Sequence, residues 1–171
     1  MDWNEDLKAF IMSRRSDDPL TLALQQKKYP HLDMKFVAQQ VEGYSMAKDK
    51  LPSLALCDDF VYPPKLNREQ CSSEATAIFK AEEYAHGKTI ADITGGLGID
   101  SIFMAKVAAN VTYIEQNNEL HNIAKHNFQA LSLSNIECHC TDGIDFLIET
   151  NRRFDLIYID PARRDNQGRK V

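Results

Sequence analysis

The segment Lys88-Thr-Ile-Ala-Asp-Ile-Thr-Gly-Gly-Leu-Gly-Ile-Asp100 constrains this chain more than any other. Thr89 to Ile93 is a short β-branched run suited to a buried strand of a parallel sheet. It follows Gly87, a residue type that closes a preceding helix without a Cβ penalty. Gly95, Gly96 and Gly98 come next. Glycines let a backbone turn sharply and approach a ligand closely, and a helix starting near Ile99 would point unpaired N–H groups at that ligand. The segment predicts a strand, a glycine turn and a helix start. More than one cofactor class uses such a turn, and the Gly-x-Gly-x-x-Gly spacing of a dinucleotide fold is not met here.

The residues beyond Ile99 continue the alternation of helix and strand. Ile99 to Ala109 is amphipathic, with Ile102, Phe103 and Val107 as its buried stripe, and Asp100 in its first turn is favourable through the helix dipole alone. Val111 to Ile114 reads as the second strand, ending at Glu115, 23 residues beyond Asp92. That distance fits one helix and two turns of a βαβ unit. An acid at this strand end has a physical reason: its two oxygens accept hydrogen bonds from both ribose hydroxyls of an adenosine laid across the strands. Glu115 therefore speaks for a nucleoside, equally for NAD and for an adenosyl sulfonium.

A third helix spans Asn118 to Leu131, with His121 and His126 read as surface residues. Their spacing of five does not pair two imidazoles on a metal. Ile136 to Cys140 is the third strand. Its alternation sets Cys138 and Cys140 on one face and His139 on the other, poor geometry for zinc, so both cysteines are expected to pack as small hydrophobes. Asp142 stands where it can cap a helix from Ile144 to Thr150. Phe154 to Ile159 is the fourth strand, and it runs into Asp160-Pro161-Ala162-Arg163-Arg164.

The first 66 residues read as a small helical region and connector, residues 67–171 as the main domain. Trp3, Leu7, Phe10 and Ile11 recur at helical spacing. Asp18-Pro19 caps and opens a short helix through Lys28, and Asp33 caps a third whose stripe is Phe36, Val37, Gln40, Val41 and Tyr44. Leu54 to Pro64 is expected to be an extended connector. Ser72 or Ser73 caps a helix to about Ala85, with hydrogen bonding to a cofactor as the other role open to them.

Composition sets limits rather than direction. The chain has 171 residues, 43% hydrophobic and 26% charged, enough for one α/β domain with a helical extension. It has no apolar run near 18 residues and no charged-then-apolar leader, so a cytoplasmic protein with no membrane span is the expectation. Four cysteines, Cys57, Cys71, Cys138 and Cys140, do not make a disulfide framework, and no metal set is evident. A net charge of −5 argues against coating nucleic acid through an overall positive field, although Arg152, Arg153, Arg163, Arg164, Arg169 and Lys170 gather near the end.

The pattern Asp92-x-Thr94-x-Gly96-x-Gly98 resembles motif I of class I S-adenosylmethionine-dependent methyltransferases, with Thr94 in place of the usual first glycine. Asp-Pro at 160–161 resembles motif IV of those that modify ring-attached amino nitrogens. Asp92 to Asp100 is similar to bacterial ribosomal RNA guanine-N2 methyltransferases. Gln70-Cys71-Ser72-Ser73-Glu74 together with Asp160-Pro161-Ala162-Arg163-Arg164 looks still more like bacterial class I methyltransferases carrying a THUMP-like domain, a module linked with RNA. The resemblance covers about residues 60–171.

It implies S-adenosylmethionine as cofactor, held by Asp92, Thr94, Gly95, Gly96, Gly98 and Glu115, with Asp142 accepting from the adenine amino group. It implies catalytic roles for Asp160 and Pro161. The lone pair of a ring amine is conjugated, so acceptors must hold its N–H groups while the nitrogen pyramidalises. The second proline and the aromatic of the usual motif are replaced by Ala162 and Arg163, leaving Arg163 or Arg164 to stack on a base or hold a phosphate of an RNA substrate.

The expected fold is an α/β Rossmann-like sheet, strands 1 to 4 in order 3-2-1-4, preceded by a helical region. A complete sheet of this class has further strands, so the chain is expected to be the N-terminal part of a longer protein. Its fourth strand would then be an exposed edge open to self-association. An NAD-linked oxidoreductase, a non-catalytic nucleoside-binding module, and methylation of a protein or small molecule remain as alternatives.

Overall fold

The computed structural model describes residues 3–161, which leaves Arg163 and Arg164 outside the described residues. The chain divides into two compact units, Met1–Arg68 and Glu69–Val171.

The first unit is helical because its polar residues cap and its apolar residues recur every three or four positions. Asn4 accepts the Leu7 N–H and starts α1 (Glu5–Ser13). Asp18 accepts from Thr21 and, with Pro19, starts α2 (Pro19–Ala23), which tightens into a 3₁₀ turn over Leu24–Lys27. Asp33 caps α3 (Met34–Lys50). Ile11, Leu22, Met34, Val37, Ala38 and Val41 form the core, with the rings of Trp3, Phe10, Tyr29 and Phe36 against it. Burying side chains of this size contributes roughly 1.5–3 kcal/mol each.

The connector departs from expectation. Leu54–Leu56 form a 3₁₀ turn, and Phe60, Val61 and Tyr62 are buried. The Gln40 amide, itself buried, donates to the Tyr62 carbonyl at 2.9 Å and accepts its N–H at 2.8 Å, satisfying a buried backbone that no ladder pairs. After Pro63-Pro64 the chain forms a short helix, α4 (Lys65–Gln70), which the sequence reading did not include.

The second unit carries the sheet. Ser73 caps α5 (Glu74–Tyr84), and then β1 (Thr89–Asp92), α6 (Ile99–Ala105), β2 (Asn110–Ile114), α7 (Asn118–Ala130), β3 (Ile136–His139), α8 (Gly143–Glu149) and β4 (Leu156–Tyr158) follow. All pairings are parallel and the order is β3-β2-β1-β4. β1 lies inside, with Ile90 and Ala91 wholly buried, as its unbroken apolar run requires. From β1 the chain first builds outward through β2 and β3, then returns to place β4 on the other side. The strand ends at that reversal form the crevice where open α/β sheets bind ligands. Among the described strands β4 is an edge, with Ile157 46% exposed.

Three local expectations are corrected. α6 stops at Ala105 rather than Ala109, because the Val107 carbonyl and the Ala109 N–H bond backbone groups of Gly87 and Lys88. His121 is buried and packs near the Tyr113 ring, since the covered face of α7 extends past its apolar stripe to include His121 and Asn127. Cys138 is half-buried but Cys140 is exposed, because β3 ends at His139.

Candidate active site

The ends of β1 and β2 shape a tight turn with one open face. Gly95 donates its N–H to the Ile114 carbonyl at 2.9 Å, and Gly98 donates to the Gly95 carbonyl at 2.8 Å. Gly98 sits at φ +80°, and a Cβ there would lie 2.7 Å from the Phe128 ring; at Gly95 it would lie 2.2 Å from the Tyr113 ring. Gly96, at φ +54°, is different: the nearest atom to its Cβ position is the Thr94 carbonyl oxygen at 3.8 Å. The turn is therefore packed on the sides of Gly95 and Gly98 and open over Gly96, a cradle that fits close approach of a ligand to the backbone.

Two acids fix this turn. Asp92, 1% exposed, accepts from the Ser101 hydroxyl at 2.6 Å and from the Thr94 N–H at 3.2 Å. Burial pushes its carboxyl up to about 7, against the pull of those two hydrogen bonds. Glu115 accepts from the Gly96 N–H at 2.8 Å through one oxygen and from the Asn117 N–H at 2.7 Å through the other. The Tyr113 hydroxyl donates to the Gly96 carbonyl at 2.6 Å. Glu115 thus shapes the turn, and each of its oxygens retains a further lone pair for a hydroxyl.

β4 delivers Asp160 beside this turn. The Asp160 N–H donates to Thr94 Oγ1 at 2.7 Å, stitching the Asp-Pro segment to the glycine turn across 66 residues of sequence. The Asp160 carboxylate is half exposed, 3.4 Å from the Tyr158 hydroxyl and 3.7 Å from Lys80 Nζ. The Lys80 ammonium donates to Ser72 Oγ at 3.0 Å, to Asp100 Oδ1 at 3.1 Å and to the Tyr158 hydroxyl. Ser72 and Tyr158 in turn donate to Asp100 Oδ2 at 2.9 and 3.2 Å. Burial, followed by the charges of Asp100 and Asp160, raises the Tyr158 phenol well above its ordinary range.

Sequence reading did not single out Lys80 or Tyr158 and gave Asp100 only a helix-dipole role. Ser73 is the helix cap, while Ser72 belongs to this cluster. One signal was available: Lys80 follows Ser73 by seven residues, two helical turns along the face where α5 begins.

Asp142 caps α8, one oxygen accepting from Ile144 at 2.8 Å and Asp145 at 3.2 Å. A Cβ on Gly143 would meet the Ile93 carbonyl oxygen at 2.2 Å, so the start of α8 abuts the end of β1. A cavity of about 580 Å³ lies at the opposite end of the strands, lined by Thr89, Asn110, Asn135, Arg152 and Arg153 among others, and is separate from these groups. Among the described residues, no cluster of three His, Cys, Asp or Glu residues could hold a metal ion, and no helix is long and apolar enough to cross a membrane.

Residues 19–168 match the model of a family described as "Putative SAM-dependent methyltransferase". The chain is similar over 96% of its length, with a TM-score of 0.78 and 29% identity, to 43% of a crystallised "putative methyltransferase" from Porphyromonas gingivalis W83. It is 33% identical over 90 residues to ribosomal RNA small subunit methyltransferase J of Bdellovibrio bacteriovorus, covering 49% of this chain and 36% of that protein. It is 27% identical over 146 residues to polyamine aminopropyltransferase of Buchnera aphidicola, covering 80% of this chain and 47% of that protein. The chain thus spans less than half the length of each of these relatives. The glycine cradle, the acids at the ends of β1 and β2 and the family match agree, and the family implies S-adenosylmethionine as its cofactor. This chain belongs to the S-adenosylmethionine-dependent methyltransferase family.

Proposed function

We propose that this chain supplies the cofactor site and the amine-holding edge of an enzyme that methylates an amino nitrogen of an RNA base, with guanine of ribosomal or transfer RNA as the target class. The observation that carries this reading is the hydrogen bond from the Asp160 N–H to Thr94, which holds an Asp-Pro segment against the glycine turn. The similarity to a ribosomal RNA methyltransferase supports RNA as the substrate, and a cytoplasmic setting follows from such a substrate.

In this reading Asp92, Gly95, Gly96 and Gly98 shape the cradle, Glu115 accepts from the ribose, and Asp142 accepts from the adenine amino group through the oxygen that does not cap α8. Thr94 acts at one remove, by fixing Asp160. The bound cofactor supplies an electrophilic methyl group on a positively charged sulfur. The carboxylate of Asp160 and the carbonyl of Pro161 accept the two N–H bonds of the target amine. Held this way, the nitrogen lone pair is released from conjugation and aligned, and alignment of reacting groups accounts for much of the rate in such transfers. Arg163 and Arg164 are proposed to contact the RNA.

Incubation of the chain with methyl-labelled S-adenosylmethionine and unmodified total RNA tests the reading, with nucleoside analysis as the readout. The expected product is a guanine methylated on its amino nitrogen, lost in Asp160→Ala. Label confined to protein or small molecules would overturn the choice of RNA.

A further inference from the structure

We propose that Lys80 is a positioning residue that balances charge at the end of β4, so that the site does not favour a cationic cofactor over its neutral product. The inference rests on the proposed function and concerns a residue outside the cradle itself.

Asp92, Asp100, Glu115 and Asp160 all lie at this end of the sheet: Asp92 ends β1, Asp100 is in the first turn of α6, and Glu115 and Asp160 follow β2 and β4. Unopposed, carboxylates in a partly desolvated site attract a positive centre, and the attraction is strongest for the charged ground state. Transfer of the methyl leaves the electron pair of the broken C–S bond on sulfur, forms the N–C bond, and sends the surplus amine proton to Asp160 or solvent. The ligand therefore loses its positive charge. Interactions that hold the charged state more tightly than the state being reached raise the barrier.

Lys80 is built into the carboxylate cluster. Its side chain is 21% exposed and that of Asp100 13%. The three N–H groups of the ammonium are engaged by Ser72, Asp100 and Tyr158, with the Asp160 carboxylate 3.7 Å away. With its donors occupied, the ammonium acts through its neighbours. It ties α5 to the first turn of α6 and the end of β4, and sets a positive charge against two of the four acids. At the effective dielectric of such a site, one added or removed charge changes affinity for a cation measurably.

The test is calorimetric titration of the full chain with S-adenosylmethionine and, separately, S-adenosylhomocysteine. These ligands differ by a methyl cation, so the ratio of their dissociation constants reports local charge. Lys80→Met is expected to shift that ratio about three- to tenfold toward S-adenosylmethionine, and Asp100→Asn to shift it the opposite way. Tyr158→Phe, which changes no charge, leaves it within twofold. A purely structural lysine would weaken both ligands equally, and an unmoved ratio in Lys80→Met would overturn the proposal. If circular dichroism shows that variant unfolded, Asp100→Asn decides, with an unmoved ratio again the contrary result. Wild-type chain that binds neither ligand would overturn the cofactor site itself, and this inference with it.

Discussion

At the carboxyl edge of the sheet, the turn at the ends of β1 and β2 is held by backbone groups bonded to one another and to the acids Asp92 and Glu115, whereas the end of β4 is held mainly by contacts between side chains. Around the glycine turn, peptide groups of Gly95, Gly96, Gly98 and Asn117 make the bonds, and the rings of Tyr113 and Phe128 fill the space a side chain would need. Around Asp160, a threonine hydroxyl, a phenol, an ammonium and a second carboxylate do the work. A site that must receive the same nucleoside in every cycle is suited to a rigid backbone. The Asp160 carboxylate beside it is half exposed and is set by contacts with the Tyr158 hydroxyl and the Lys80 ammonium.

The contrast can be broken most forcefully at Gly98. Alanine there must adopt φ +80° and meet the Phe128 ring, a combination that costs roughly 2–5 kcal/mol. Gly87 provides the control: it has φ +67° but nothing within 4 Å, so Gly87→Ala costs only about 1 kcal/mol. Urea unfolding of the two variants separates packing from backbone strain.

Asp92 comes next. Its carboxyl is raised from 3.8 to about 7 by burial, so the folded chain binds that proton more tightly than the unfolded chain. The stability this contributes is complete below about pH 4 and is lost as pH rises to about 7, on the order of 4 kcal/mol in all. The stability of Asp92→Asn minus that of wild type should therefore grow from pH 5 to pH 8. A constant difference would show that Asp92 is ionised throughout.

Thr94 carries the smallest effect and tests the join between the two regions. Thr94→Val removes the acceptor for the Asp160 N–H and is expected to cost about 1 kcal/mol, whereas Thr94→Ser keeps the hydroxyl and stays near wild type. A loss confined to Thr94→Ser would assign the effect to the threonine methyl, which valine keeps.

The same contrast explains what was legible in the sequence. The glycine turn and the acid closing β2 were readable because each follows from residues adjacent in the chain and from periodicity, and the strand order because the motifs resemble those of a known sheet. Lys80 with Tyr158, and Thr94 with Asp160, are 78 and 66 residues apart, and no local pattern announces such meetings. His121 was misplaced because burial on α7 is decided by what packs against it, not by the polarity of the ring. The helix at Lys65–Gln70 has no local signal beyond Pro63-Pro64, which ends a connector as readily as it opens a helix: the Pro64 carbonyl accepts from Asn67 and Arg68. The sequence offers Asp142 two roles, and one of its oxygens is committed to capping.

The turn between β1 and α6, pinned by Glu115, is proposed to hold an adenosyl cofactor. Calorimetric titration of the chain with S-adenosylhomocysteine, for wild type and Glu115→Ala, tests it most directly, with circular dichroism to verify folding. One-site binding is expected that weakens at least about tenfold in the variant, through loss of a charge-assisted hydrogen bond to the ribose and of the anchor on Gly96. Binding that is the same in both proteins, or no heat from a folded wild type, would contradict it.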